Sequence, residues 1–335
     1  MAAAALLACS CSKSNLEVET EPLQESVLYV NLNTGEQTRA TAGGHGIQSD
    51  DNHIQTLEIF VFRINPGAQD DGVLDGYRKF TAAELGDLTN LEVQTTTGEK
   101  MIYAVANSHR ANWKGINTRA LFEQQTAVLD DEGLKNFIMV GGVQEHLKIA
   151  STVSFVIKRL VARVKVNSIK TAFKDGPYED MELQEVKAYL LHAQAEKLIC
   201  NGKGDNLRVY NQGEAKKDDA DACTMEGMIY DNIGSSISDA GYTTPHYFYS
   251  FENGFSQEQD GKKFTRIVVE GKLNGTVYYY PVVLKELKRN CCYSVDITIK
   301  RPGSTDPNSD VEKGTLLATV SVKDWEPASD SVVEF

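Results

Sequence analysis

The stretch STVSFVIKRLVARVKVNSI, residues 151–169, decides the fold. Leu160, Ala162, Val164 and Val166 fall on one side of an extended chain, with Val161, Arg163 and Lys165 on the other. That period of two is the signature of a strand with one face in a core. Further β-patterned sequence lies on both sides, so a domain boundary is placed near the start of this run, between residues 157 and 158.

Upstream, IQTLEIFVFRI (Ile54 to Ile64) alternates and stops at Asn65-Pro66-Gly67, a turn signal. Thr81-Ala82-Ala83-Glu84 is a capping-box pattern and predicts a short helix. EKMIYAVAN (Glu99 to Asn107) reads as another strand, TRALFEQQ (Thr118 to Gln125) as a helical connection, and NFIMVGG ends at two glycines. Downstream, MELQEVKAYLLHA reads as a strand, although its spacing also permits a helix. Residues 200–244 are long, polar and glycine-rich and read as an exposed loop region, a length usually reserved for functional or disordered loops. HYFYSF (His246 to Phe251) resumes the sheet. In FTRIVVEGKLNGTVYYYPVVL, Asn274-Gly275 supplies the positive φ angles of a type I′ turn, which predicts a hairpin. Two successive β-rich blocks make an all-β chain of two tandem β-sandwich-like domains, residues 40–157 and 158–335, with short helices in the connections.

The 335 residues exceed the usual size of one domain, and 41% hydrophobic residues suffice for two cores. A formal net charge of −13 excludes a phosphate-binding face and hence nucleic acid as a partner. No window of apolar residues is long enough to span a membrane. The six cysteines offer no paired C-x-x-C spacing for zinc. Cys291 and Cys292 are neighbours on a strand, so one is expected buried and the other exposed. Spacing leaves open whether Cys200 and Cys223 form a disulfide.

Catalytic motifs are missing from the sequence. It contains no H-E-x-x-H, G-x-S-x-G, P-loop or dinucleotide fingerprint, and its six histidines are scattered. Lys216-Lys217-Asp218-Asp219-Ala220-Asp221 lacks the spaced ligands and glycine of a calcium loop and reads as solvated. The chain is therefore expected to be no enzyme and to need no metal or cofactor.

The two ends carry the more informative pattern. At the start, Leu6-Leu7-Ala8-Cys9 resembles a bacterial lipobox, whose cysteine carries lipid after cleavage; the apolar run before it is short and no basic region precedes it. A lipid on Cys9 would anchor the chain without spanning the membrane. SVLYVNL (Ser26 to Leu32) then alternates, with Leu28, Val30 and Leu32 as its apolar stripe. TGEQTRATAGGHG follows, a flexible stretch with Arg39 in its midst, where a protease finds exposed backbone. At the other end is EKGTLLATVSVKDWEPASDSVVEF. Leu316, Ala318, Val320 and Val322 form one face, Trp325 follows, Pro327 breaks the strand, and Val333 and Phe335 resume the alternation. RPGSTDPNSDVEKG before it reads as a hinge, so this segment is expected to hang after a linker rather than close a hairpin. Both end segments suit an apolar groove in a sheet. Removing Leu28, Val30 and Leu32 would cost on the order of 5–9 kcal/mol, at roughly 1.5–3 per side chain, and a strand from another molecule would recover it. The plainer reading is that each strand completes its own domain.

The lipobox, Thr38-Arg39-Ala40, RLVARVKV and the tail together resemble the fimbrillins of Bacteroidales, the FimA-type subunits of type V pili. In the tail the likeness rests on Cys292-Tyr293-Ser294-Val295-Asp296-Ile297-Thr298-Ile299, Arg301-Pro302-Gly303, Gly314-Thr315-Leu316 and Val320-Ser321-Val322-Lys323-Asp324-Trp325. The likeness runs over nearly the whole chain, with residues 200–244 matching only in general character. It implies two transthyretin-like β-sandwiches and a precursor exported and lipidated on Cys9 as an outer-membrane lipoprotein. An arginine-specific protease would cut between Arg39 and Ala40, so residues 1–39 comprise a leader and a removable strand. The vacated groove would take the tail of a neighbouring copy or related pilin, donated by Leu316, Ala318, Val320, Val322, Trp325, Val333 and Phe335. Donor-strand exchange would then build an extracellular fimbrium that supports adhesion to host or bacterial receptors. The alternative is a monomeric surface lipoprotein that binds glycan or host protein through Tyr278-Tyr279-Tyr280 or HYFYSF. A hydrolase is a third reading that no motif supports.

Overall fold

A computed structural model of the chain describes residues 23–34, 53–174, 176–200, 207–312 and 314–324. Cys9, Arg39, Ala40, Trp325, Val333 and Phe335 lie outside the described residues.

The first half contributes β1 (Glu25–Asn33), β2 (Thr56–Arg63), β3 (Leu74–Thr81), β4 (Leu91–Thr96), β5 (Gly98–Ala106), α1 (Arg119–Glu123), β6 (Thr126–Val128), β7 (Met139–Leu147), β8 (Ser151–Val156) and β9 (Lys158–Arg159). Two sheets result, one of three strands ordered β4-β1-β8 and one of five ordered β3-β2-β5-β7-β9. Their facing sides close a core that includes Leu28, Val30, Leu57, Ile59, Val93 and Ile102. β2 is buried on both faces. Leu57, Ile59 and Val61 point into that core, while Phe60 and Phe62 stack under Phe122 of α1, with ring centroids 4.6 and 5.4 Å away. The two sequence-predicted helix starts form, each as a single turn. Glu84 accepts the Thr81 backbone N–H at 2.8 Å, and the Thr118 hydroxyl accepts the Leu121 N–H at 3.3 Å.

The second half supplies β10 (Val161–Thr171), β11 (Gln184–Leu191), β12 (Ala193–Leu198), β13 (Arg208–Tyr210), α2 (Lys217–Ala222), β14 (Tyr230–Asn232), β15 (His246–Phe251), β16 (Arg266–Leu273), β17 (Thr276–Val283), β18 (Cys291–Ile299) and β19 (Leu316–Asp324). One sheet runs β13-β12-β15-β10-β18-β19, with β6 from the first half also paired to β12, and it faces the sheet β14-β11-β16-β17. The all-β class and the two tandem sandwiches expected from the sequence are what the chain forms. Leu160, Ala162, Val164 and Val166 are buried as their alternation predicts. Asn274 and Gly275 take φ of 49° and 78° between β16 and β17, so the I′ hairpin closes where its dipeptide stands.

Two expectations are corrected. Residues 207–244 are not an exposed loop. They hold β13, α2 and β14, and Tyr210, Met228, Ile229, Ile233 and Ile237 are buried. Its apolar residues are few and set among Gly, Asp, Asn and Ser, with no alternation of period two to mark a strand. The segment is held to the sheets by the short β13–β12 and β14–β11 ladders and by bonds beside them, such as Leu190 N–H to Ile229 O at 2.8 Å and Ile233 N–H to Val186 O at 3.0 Å. Nor does the tail hang free after a linker. β19 closes on β18 as an antiparallel pair running from Cys291↔Asp324 to Ile299↔Leu316. The reason lies in matching faces, since Tyr293, Val295 and Ile297 stand opposite Val322, Val320 and Ala318.

Arg289 joins the halves. Its guanidinium donates to Arg159 O at 3.1 Å, Val140 O at 2.8 Å and Lys158 O at 2.6 Å, while Asn290 Oδ1 accepts from the buried Arg159 Nη1 at 3.0 Å. Arg289→Ala removes these charge-assisted hydrogen bonds across the junction. It is expected to lower unfolding stability by about 2–3 kcal/mol, the worth of charged hydrogen bonds, measured by denaturant titration at neutral pH.

Candidate functional site

β1 is the centre of the candidate site. Its alternate residues Ser26, Leu28, Val30 and Leu32 face the core, with Leu28 and Val30 at 0% exposure and Leu32 at 7%. On one side it pairs antiparallel with β4, from Glu25↔Thr96 to Val30↔Leu91. On the other it pairs parallel with β8, from Leu28↔Ser151 to Asn33↔Val156. β4 and β8 do not pair with each other, so β1 is the only ladder joining them in this sheet. Taking β1 away would leave one strand-wide slot, floored by the five-stranded sheet and walled by Leu91, Val93 and Val153. The slot is polar at its head, where Ser26 stands opposite Thr95 and the Ser26 hydroxyl donates to Lys148 O at 2.7 Å.

The other predicted strand is built differently. β19 lies at the edge of its sheet, and none of its nine residues is fully buried. Leu316, Ala318, Val320 and Val322 lean half-buried on the second core, whereas Leu317 is 53% exposed. The two stripes read from the sequence thus occupy unequal places. β1 is locked centrally and β19 lies peripherally, and no pairing joins them in the chain.

Sequence reading missed a buried charge cluster beside the head of β1. Asp75 on β3 accepts the Thr95 hydroxyl at 2.7 Å, the Thr96 N–H at 2.9 Å and the Thr96 hydroxyl at 2.8 Å. It also meets Arg63 Nε at 2.7 Å and Lys100 Nζ at 3.0 Å. The Asp75 and Lys100 side chains are 2% and 1% exposed. Burial alone would raise the Asp75 carboxyl, but the hydrogen bonds from Thr95, Thr96, Arg63 and Lys100 prevail and hold it well below the usual carboxylate range. Burial pulls the Lys100 ammonium below its ordinary value, with Asp75 acting against that. No motif could have shown this cluster, because its members come from four strands.

The rest of the chain offers little reactive chemistry. Cys200, Cys223, Cys291 and Cys292 are free thiols, and Cys291 is buried while Cys292 is partly exposed. Burial pushes the thiols of Cys200 and Cys223 up to about 12, far from a reactive thiolate. Among the described residues no group of His, Cys, Asp and Glu is placed to hold a metal. The HYFYSF residues are all buried, so that run presents no aromatic platform at the surface.

Two outcomes follow from this geometry. Leu28→Ala leaves a hole in a closed core and is expected to destabilise the chain by about 2–5 kcal/mol, whereas Val320→Ala on the half-exposed β19 costs much less in the same denaturation assay. Asp75 has a depressed carboxyl, so its contribution is complete above the unfolded value of about 4 and is lost as pH falls through the folded one. Comparing unfolding at neutral pH and near pH 3 should show a larger acid loss in the native chain than in Asp75→Asn. That variant is already weakened by about 3–5 kcal/mol at neutral pH through its unpaired Lys100.

Comparison with known proteins matches residues 26–221 to the family model of the major fimbrial subunit protein (FimA). The chain is 22% identical to the major fimbrium subunit FimA type-2 of Porphyromonas gingivalis, over 96% of this chain and 95% of that protein. A crystal structure of a fimbrilin from Porphyromonas gingivalis has the same fold, with a TM-score of 0.62 at 15% identity over 91% of this chain and 99% of that one. The solved structure of the tip fimbrial protein Mfa3 of Porphyromonas gingivalis with a C-terminal truncation aligns with a TM-score of 0.55 at 15% identity over 90% of this chain and 100% of that one. With a family model matched across more than half its length, from β1 into α2, the chain belongs to the FimA family of major fimbrial subunits, structural proteins rather than enzymes.

Proposed function

We propose that the protein is the precursor of a fimbrial shaft subunit that polymerises by exchanging β1 for the tail of a neighbouring copy. The observation that carries this reading is the position of β1. It is a central, buried strand, yet it precedes the other strands of its sandwich in sequence and is followed by the segment containing Arg39. A cut between Arg39 and Ala40 would turn β1 from a covalent part of the sandwich into a replaceable ligand. Loss of β1 would uncover apolar side chains and two rows of backbone donors and acceptors, a strong drive for strand addition.

The donor in this proposal is the tail, with Leu316, Ala318, Val320 and Val322 alternating as Leu28, Val30 and Leu32 do, and Trp325, Val333 and Phe335 beyond. β19 suits the part because it is an edge strand with little burial, so leaving β18 costs less than the groove returns. A subunit with a groove in one sandwich and a donor on the other joins head to tail without closing, which makes a filament. Residues 40–157 would form the accepting domain and residues 158–335 the donating one. The Arg289 junction would carry tension between them. Lipidation at Cys9 would hold the precursor at the outer membrane until an arginine-specific protease released it into an extracellular fimbrium. There the subunit would serve adhesion to other cells or surfaces.

Limited trypsin digestion with N-terminal sequencing and size analysis tests this. The expected product starts at Ala40 and passes into ladders of multimers, while Arg39→Ala stays intact and monomeric. Val320→Asp, on the half-exposed face of β19, should be cut normally yet form no ladder. An Ala40 product that stays monomeric at high concentration would overturn strand exchange.

A further inference from the structure

We propose that Asp75 is a positioning residue that bolts the β4 wall of the groove to the five-stranded sheet through Thr95 and Thr96, so that the groove keeps its shape when β1 is absent. This rests on the strand-exchange reading above.

The problem it addresses is physical. A sandwich that loses its central strand exposes apolar side chains, and the flanking strands gain by sliding together over them. β4 has no ladder to any strand except β1, so nothing in the sheet itself would stop that collapse. Its other attachments run chiefly to β3, besides the Lys100 bond to Thr96 and the one-residue connection through Thr97 into β5. At one end the Thr95 hydroxyl, the Thr96 hydroxyl and the Thr96 N–H converge on Asp75 at 2.7–2.9 Å. Nearer the other end, Arg78 Nη1 donates to Glu92 O at 2.8 Å. Between them β3 passes so close that a Cβ on Gly76 would stand 2.6 Å from Gln94 O.

Asp75 is a firm post for this bolt because it is itself tied to the neighbouring strands. Arg63 at the end of β2 and Lys100 on β5 hold the carboxylate, and Lys100 Nζ also reaches the Thr96 hydroxyl at 3.0 Å. β1 contributes to none of these bonds. The opposite wall is fastened in another way. β8 follows β7 through a turn in which Ser151 Oγ accepts the Lys148 N–H at 2.8 Å, and β9 returns to pair with β7. Both walls are therefore moored to the floor by contacts that outlast the departure of β1. Thr95 supports the same conclusion, since it faces the core beside Leu91 and Val93, where an aliphatic side chain would otherwise serve.

The test uses the full chain with a site-specific protease sequence placed within residues 35–52, so that the cut does not depend on Arg39. After cutting, a labelled peptide of residues 23–34 competes with the seated β1, and hydrogen exchange is read on residues 91–96. Replacing both threonines by valine, T95V/T96V, keeps their shape, removes the two hydroxyl bonds and leaves Asp75 with Arg63, Lys100 and the residue-96 backbone N–H. In the cut chain this pair should weaken peptide binding by about tenfold or more, the size of one or two net hydrogen bonds. Protection should fall at 91–96 while 57–63 and 100–106 stay protected, and the uncut variant should match the native chain. T95S/T96S, which keeps both hydroxyls, should restore binding. If T95V/T96V binds the peptide as well as the native chain, or loses protection evenly across both sheets, the bolt is overturned. If a peptide of residues 314–335 fails to displace the label while the threonine variants behave as stated, the donor reading falls and the bolt stands.

Discussion

The first sandwich depends on one backbone ladder. β4 and β8 meet only through β1, which gives its hydrogen bonds to one in antiparallel and to the other in parallel register. β1 is the middle strand of its sheet, and its alternate side chains are among the most buried in the molecule. Apolar burial of that kind is strong but carries no memory of which chain supplies it. A strand with the same period and similar side chains fits the same slot, and this is what makes a central terminal strand suitable for exchange.

The chain repeats the arrangement with a different ending. β10 also lies between an antiparallel neighbour, β15, and a parallel one, β18. In the second sandwich, however, the first strand is covalently internal, so it cannot leave, and the sheet grows outward by β19. Among the described residues the first sandwich has no strand beyond β8. One half thus centres on its N-terminal strand, and the other ends in a half-exposed edge strand. The Arg289 contacts to Val140, Lys158 and Arg159 fasten the two at their junction.

Polar groups do in this fold what apolar ones cannot. A buried carboxylate with several donors has one acceptable arrangement, because any displacement leaves a charge without partners in a low-dielectric interior. Asp75 therefore fixes where β4 lies, whereas Leu91 and Val93 only require that something apolar cover them. The same contrast separates the Arg289 junction from the aromatic packing of Phe60, Phe62 and Phe122.

Local chemistry made much of this legible without coordinates. The alternation at Leu28-Val30-Leu32 and at Leu160 to Val166 marks strands because side-chain direction reverses at each residue. Asn274-Gly275 marks its turn because few other dipeptides accept two positive φ angles, and Thr81 and Thr118 mark helix starts through bonds three residues long. The sequence by itself determined that the chain is all-β, where its strongly alternating strands lie, and that an apolar stripe stands near each end. Tertiary structure alone decided their partners. The docking of β19 on β18, the burial of Ile229, Ile233 and Ile237, and the meeting of Arg63, Asp75, Thr95 and Lys100 each join residues from separate elements. Such pairings are chosen by the shape and charge of the finished core, and no short window of sequence contains both sides of the choice.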